Sequence, residues 1–215
     1  MNKINTKLFD HTILAADATE EEVAKVCAEA VEHGFMTVCV NSFYVNFANE
    51  KLMGSDVKVC AVVGFPLGKM MTAAKCSEAR LAIKYGASEI DMVINIGALK
   101  GKRYSIVHDD IKQVKKTCGR NIILKVIIET CLLTDEEKRI ACRLAEEAGA
   151  DFVKTSTGFS TGGATETDIL LMHDEIGDRM GIKASGGIRT REDAEKMLAA
   201  GATRLGTSRT VEIVS

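Results

Sequence analysis

No run of apolar residues in this 215-residue chain is long enough to span a bilayer. The opening residues, MNKINTKLFDHT, hold no apolar signal core, so a cytoplasmic protein is expected. Lysine and arginine form no block and the net charge is only -2, which argues against nucleic-acid or membrane partners. The seven cysteines are odd in number, scattered, and never spaced CxxC. They read as reduced thiols, not as a disulfide framework or a zinc site. The four histidines (His11, His33, His108, His173) make neither HxH nor HExxH, so no catalytic metal is expected. No GxGxxG opens a helix, which removes support for a dinucleotide fold. There is no low-complexity linker, and the only proline, Pro66, marks no boundary. A single domain over residues 1–215 is therefore expected, and 46% hydrophobic content supplies a substantial core.

What is present alternates. Short β-like runs fall at Leu8–Ile13, Thr37–Asn41, Val57–Val63, Glu89–Ile94, Ile122–Glu129, Phe152–Thr155, Gly181–Ala184 and Arg204–Gly206. Between them, helical apolar spacing covers roughly Thr19–His33, Phe43–Met53, Thr72–Tyr85, Arg103–Thr117, Thr134–Ala148, Thr165–Ile176 and Thr190–Ala200. Thr19 with Glu22 and Thr134 with Glu137 have capping-box spacing. Gly34, Gly86, Gly149, Gly177 and Gly201 stand where helices should end. A Gly-Ala step before a strand recurs at Gly86, Gly149 and Gly201, as in a repeated βα unit. Eight strands with seven clear helices and a short C-terminal segment predict an α/β fold, a (β/α)8 TIM barrel, over an open doubly wound sheet.

In a barrel, chemistry gathers at the C-terminal strand ends. Lys154 and Lys183 lie on the expected sixth and seventh strands, each before a Gly/Ser/Thr turn. A lysine amine is a nucleophile only when neutral, and burial plus a second cation disfavour its charged form. The pair points to carbinolamine and Schiff-base chemistry on a carbonyl. Asp91, inside an apolar strand, needs a buried partner and is equally suited to proton transfer or to a structural ion pair. Lys125 is a third strand lysine, more suited to pairing with a carboxylate than to direct catalysis, and spacing alone leaves open which lysine forms the imine. Ser185-Gly186-Gly187 and Gly206-Thr207-Ser208 follow the last two strands, where barrels commonly bind phosphate, and Thr157-Gly158 offers a further contact. His11, with no evident partner, reads as a structural hydrogen bonder, and Cys39 as a small core residue near the barrel mouth.

These segments together resemble the deoxyribose-phosphate aldolases of the short bacterial type. The resemblance rests on Asp10-His11-Thr12, Val38-Cys39-Val40, Val63-Gly64-Phe65-Pro66-Leu67-Gly68, Glu89-Ile90-Asp91-Met92-Val93-Ile94 and Leu124 through Thr130. It extends through Phe152 to Phe159, Ile182 to Thr190 and Leu205 to Ser208, so essentially the whole chain takes part. It implies a class I aldolase without metal or other cofactor. The implied reaction interconverts 2-deoxy-D-ribose 5-phosphate with acetaldehyde and D-glyceraldehyde 3-phosphate, in deoxyribonucleoside catabolism. By position it makes Lys154 the Schiff-base lysine, Lys183 the lysine that tunes it, and Asp91 the proton relay. Gly186, Gly187, Gly206 and Ser208 become phosphate ligands, with Thr157 and Gly158 beside them and Asp10, Thr12, Cys39 and Lys125 in support. A homodimer is expected. Two departures stand out: Ala15-Ala16 after Leu14, where the family usually has lysine, and Arg209-Thr210 after Ser208, where it usually has Ser-Gly.

Overall fold

The computed structural model describes residues 4–215. Eight parallel strands close into a barrel in sequence order: β1 (Phe9–Thr12), β2 (Thr37–Val40), β3 (Lys58–Val63), β4 (Ala87–Val93), β5 (Ile123–Ile127), β6 (Phe152–Lys154), β7 (Gly181–Ser185) and β8 (Arg204–Thr207). The ring closes where Asp10 of β1 stands opposite Gly206 of β8. Around it run α1 (Glu20–His33), α2 (Val45–Lys51), α3 (Thr72–Lys84), α4 (Ile96–Lys100), α5 (Tyr104–Cys118), α6 (Asp135–Glu147), α7 (Glu166–Ile176), α8 (Arg191–Ala199) and α9 (Thr210–Val214).

Local chemistry sets the helix ends. Thr19–Glu22 and Thr134–Glu137 form the expected capping boxes, and Thr190–Asp193 forms a third. Each box satisfies first-turn amides that have no partner inside the helix. Gly34 ends α1 in the left-handed region at φ 68°, which a side chain disfavours. The one-turn helix α4 was not expected. Asn95 creates it by accepting from the Ala98 amide, a cap too short to leave apolar periodicity. The C-terminal segment also coils, as α9. Residues 128 and 129 leave the strand expected over Ile122–Glu129, because Glu129 turns into the left-handed region at φ 57°.

The main apolar core lies between the strands and the helix ring, and it includes Phe9, Ile90, Met92, Leu124, Val126, Val153, Ile182, Ala184 and Leu205. Strand side chains alternate, so the neighbours of these residues point the other way, into the barrel. There the apolar group is small: Leu14, Cys39, Cys60 and Val62, with Phe65 against it. Charged side chains fill the rest of the interior.

Candidate active site

Every strand that feeds the site repeats one pattern, an outward apolar residue beside an inward charged one. β1 places Asp10, β4 places Glu89 and Asp91, β5 Lys125, β6 Lys154, β7 Lys183 and β8 Arg204. Their side chains meet in one network, all of them at least nine-tenths buried. Asp91 is its centre. Its Oδ1 accepts from Lys125 Nζ at 2.8 Å. Its Oδ2 accepts from both Lys154 Nζ and Lys183 Nζ at 2.7 Å. Lys154 and Lys183 are register partners on adjacent strands, which brings both amines to one carboxylate oxygen. Lys183 also pairs with Asp10 at 2.5 Å, and Lys125 with Glu89 at 2.5 Å. Arg204 joins Asp10 at 2.7 Å to Glu89 at 3.1 Å. Gly206 makes room for this, since a Cβ there would lie 2.9 Å from Lys183 Cε.

The electrostatics follow from this packing. Burial alone would raise the proton affinity of Asp91, but Lys125, Lys154 and Lys183 outweigh it and hold the carboxyl well below the usual range. Burial opposes charge on Lys183, yet Asp10 and Asp91 overcome it and hold the amine above its usual value. Lys125 is likewise raised against burial, chiefly by Asp91. Four cations (Lys125, Lys154, Lys183, Arg204) thus face three carboxylates (Asp10, Glu89, Asp91). One cation is in excess. An uncompensated buried charge is costly, arginine does not deprotonate, and Lys125 and Lys183 are held charged. Lys154 pairs with Asp91 alone among the described carboxylates, whereas Lys125 and Lys183 each pair with a second one.

Lys154 is also the network member that opens onto solvent space. A cavity of about 610 Å³ is lined by Lys154 together with Thr12, Thr157, Gly158, Gly186, Gly187, Gly206 and Ser208. That volume suits a small sugar phosphate. The structure therefore gathers the expected lysine and the expected phosphate ligands around one space. Asp10, Asp91, Lys125 and Lys183 lie beneath it. Cys39 is fully buried in the interior apolar group. Its thiol is lowered by the hydrogen bond with Cys60, while burial and that same bond push Cys60 up. Both departures, Ala15 and Arg209, line the cavity. Arg209 turns to Glu212, with Nη1 2.8 Å from Oε2. His11, read from the sequence as a hydrogen bonder, is bonded to Thr210 at 3.1 Å and Glu29 at 2.9 Å.

Sequence reasoning missed several members. Glu89 and Arg204 are part of the ion network, and Cys60 Sγ lies 3.2 Å from Asp91 Oδ1. Glu89 had a usable signal, since it sits two residues before Asp91 and so on the same strand face. Glu129 was also missed. Its carboxylate accepts from the Thr157 hydroxyl at 2.5 Å and the Thr157 amide at 3.2 Å, fixing the loop that walls the cavity. Beyond that loop Phe159 meets Phe65 edge-on, with ring centroids 5.2 Å apart.

Two groups among the described residues have donor atoms close enough to hold a metal: Cys39, Cys60 and Asp91, and Asp10, Cys60 and Glu89. Their carboxylates already accept from Lys125, Lys154, Lys183 and Arg204. A divalent cation would be repelled by those charges, so the donor sets do not fit one. No described helix is long and apolar enough to cross a membrane.

Residues 4–208 match the family model of the DeoC/LacD family aldolases. A deoxyribose-phosphate aldolase of Bacillus cereus (strain AH187) is 58% identical over 208 residues, covering 97% of this chain and 93% of that protein. Among solved structures, a Coccidioides immitis protein provisionally assigned as a deoxyribose-phosphate aldolase superposes with TM-score 0.95 at 45% identity, covering 100% of this chain and 87% of that one. The tetrameric deoxyribose phosphate aldolase of Aeropyrum pernix superposes with TM-score 0.88 at 33% identity, covering 97% of this chain and 88% of that one.

Proposed function

The chain belongs to the DeoC/LacD aldolase family, and from that premise we propose that it cleaves 2-deoxy-D-ribose 5-phosphate through an imine on Lys154. The overall reaction is that of a deoxyribose-phosphate aldolase, a lyase yielding acetaldehyde and D-glyceraldehyde 3-phosphate. The observation that carries the imine assignment is access: Lys154 alone of the network lines the cavity, and its amine shares Asp91 with Lys125 and Lys183.

Neutral Lys154 attacks C1 of the open-chain aldehyde and forms a carbinolamine. Asp91 and a water carry protons as the hydroxyl leaves as water, giving an iminium. The same relay takes the proton from the C3 hydroxyl. The C2–C3 bond breaks, its electron pair enters the iminium, and glyceraldehyde 3-phosphate departs. Protonation of the enamine at C2 and addition of water release acetaldehyde and restore the amine. Loss of the Lys154 proton leaves Asp91 facing two ammonium groups instead of three. Its proton affinity therefore rises at the step where it must accept a proton. Lys183, held charged by Asp10 and Asp91, keeps positive potential beside Lys154 and feeds the relay. Lys125 and Asp10 position Asp91 and Lys183, with Thr12 and Cys39 bordering them.

The phosphate is held by Gly186, Gly187, Gly206 and Ser208, with Thr157 and Gly158 alongside. Glycine lets backbone amides approach an anion closely. The reaction needs no metal or other cofactor, because the iminium is the electron sink. The protein works in the cytoplasm as a homodimer, with residues 1–215 acting as one catalytic domain.

Borohydride reduction in the presence of acetaldehyde, followed by peptide mass spectrometry, tests the assignment. An ethyl group on Lys154, absent after Lys154→Met, is the expected result. An adduct on Lys125 or Lys183 alone would overturn it.

A further inference from the structure

Two arginines line the cavity, Arg189 and Arg209, and they are not equivalent. No aspartate or glutamate lines that space. With Lys154 below, it favours an anion. The Arg189 guanidinium makes no ion pair among the described residues, although its amide donates to Asp193 Oδ2 at 3.0 Å. Arg209 has one, three residues along, where Nη1 donates to Glu212 Oε2 at 2.8 Å.

The backbone at Arg209 is fixed. Its amide donates to Thr207 Oγ1 at 3.1 Å, and that hydroxyl donates to the Ile188 carbonyl at 2.7 Å. The next residue, Thr210, is fully buried and bonded to His11. Its side chain is different. Arg209 and Glu212 are 54% and 62% exposed, so water and salt screen their attraction. The long arginine stem can swing while its root stays in place.

We propose that Arg209 is a specificity residue for the phosphate end of the substrate, and that Glu212 is its internal competitor. The guanidinium rests on Glu212. A phosphorylated sugar offers a more highly charged acceptor that takes two parallel N–H bonds, and the guanidinium exchanges one anion for the other. Release of the three-carbon phosphate product returns it to Glu212. An unphosphorylated sugar gives Arg209 nothing to leave Glu212 for. This rests on the aldolase reading and adds what separates phosphorylated from free sugars in this chain.

The test compares kcat/KM for 2-deoxy-D-ribose 5-phosphate with kcat/KM for 2-deoxy-D-ribose. Arg209→Ala should lower that ratio about tenfold, chiefly through KM, which is about 1.4 kcal/mol. Arg209→Lys, which keeps the charge without the planar fork, should recover part of the loss. Glu212→Gln should raise the ratio about two- to threefold, and that gain should vanish in the double variant with Arg209→Ala. An unchanged ratio in Arg209→Ala would overturn the proposal. So would a Glu212→Gln effect that survives without Arg209. Titration with inorganic phosphate by calorimetry reads the same contact without turnover. A wild-type protein inert toward both sugars, whose phosphate affinity still falls in Arg209→Ala, would sink the aldolase reading and keep this one. An Arg209→Ala phosphate affinity equal to that of the wild type would sink this one.

Discussion

Lys75 and Lys154 both end on an aspartate inside the protein, and of the two only Lys154 lines the sugar-sized cavity at the strand ends. Lys75 reaches from α3, where its Nζ donates to Asp110 Oδ2 on α5 at 2.5 Å and to the Val93 carbonyl at 2.8 Å. Gly64 covers its stem so closely that a Cβ there would sit 2.9 Å from Lys75 Cε. One cation meets one carboxylate, both buried, and neither lines the cavity at Lys154. Lys154 meets an aspartate already shared with two other ammonium groups, and its outer side faces the 610 Å³ cavity. Burial and an ion pair are common to both places. Charge imbalance and access belong to one. A buried lysine becomes a candidate nucleophile through those two features, not through burial itself.

That contrast is sharpest when each lysine is removed in turn. Lys154→Met should lower turnover by at least about 10⁴-fold while the protein remains folded. Steady-state kinetics beside circular dichroism would check both halves, and retained turnover would place the nucleophile elsewhere. Asp91→Asn should lower kcat by about 10²–10⁴-fold, because the relay loses its proton acceptor. It should also slow borohydride trapping by acetaldehyde, and trapping at the wild-type rate would return Asp91 to a purely structural role.

Lys75→Met should show the opposite profile. It leaves Asp110 buried without its cation, a change worth about 3–5 kcal/mol of stability. Urea unfolding should report that loss, while kcat per folded molecule holds. Lys75→Met combined with Asp110→Leu should recover most of it, since an apolar pair can replace a buried ion pair. A drop in kcat at constant stability would join Lys75 to the site after all.

The smallest expected effect concerns pH. Asp10 and Asp91 are held below their usual values, against burial, by the surrounding lysines and, for Asp10, also by Arg204. A lowered carboxyl contributes stability that is present above its unfolded value, about pH 3.9, and lost as pH falls through the folded one. Lys125 and Lys183 are raised, so their contribution is present below about pH 10.4 and lost only on further rise. The urea-midpoint difference between wild type and Asp91→Asn should be flat from about pH 5 to 9 and shrink below about pH 4. A decline between pH 5 and 7 would show that the carboxyl is not held down.

The barrel was legible because it repeats. Strand runs alternate with helical spacing along the chain, several with a cap or a Gly-Ala turn, so apart from the short α4 the errors stayed at the edges, as where Ser185 and Thr207 extend β7 and β8 by one residue each. Lys154, Lys183 and Asp91 were legible because a charge inside an apolar strand is conspicuous. Glu129 was not, for it lay at the end of an expected strand and its left-handed turn has no glycine to announce it. Arg204 was equally silent, since an arginine opening a strand ordinarily faces solvent.

By itself, the sequence determined the periodicities, and with them the strand order and which residues share an inward face. Those are local properties, written in spacing of two and of three to four residues. Only the tertiary structure decided that seven charged groups from six strands form one network with a cation to spare, and that the cavity opens at Lys154. It also decided that Arg209 turns to Glu212. Those facts depend on distances between residues as far apart in the chain as Asp10 and Arg204. Coulomb energies follow distance through space and burial, and no spacing along the chain encodes either.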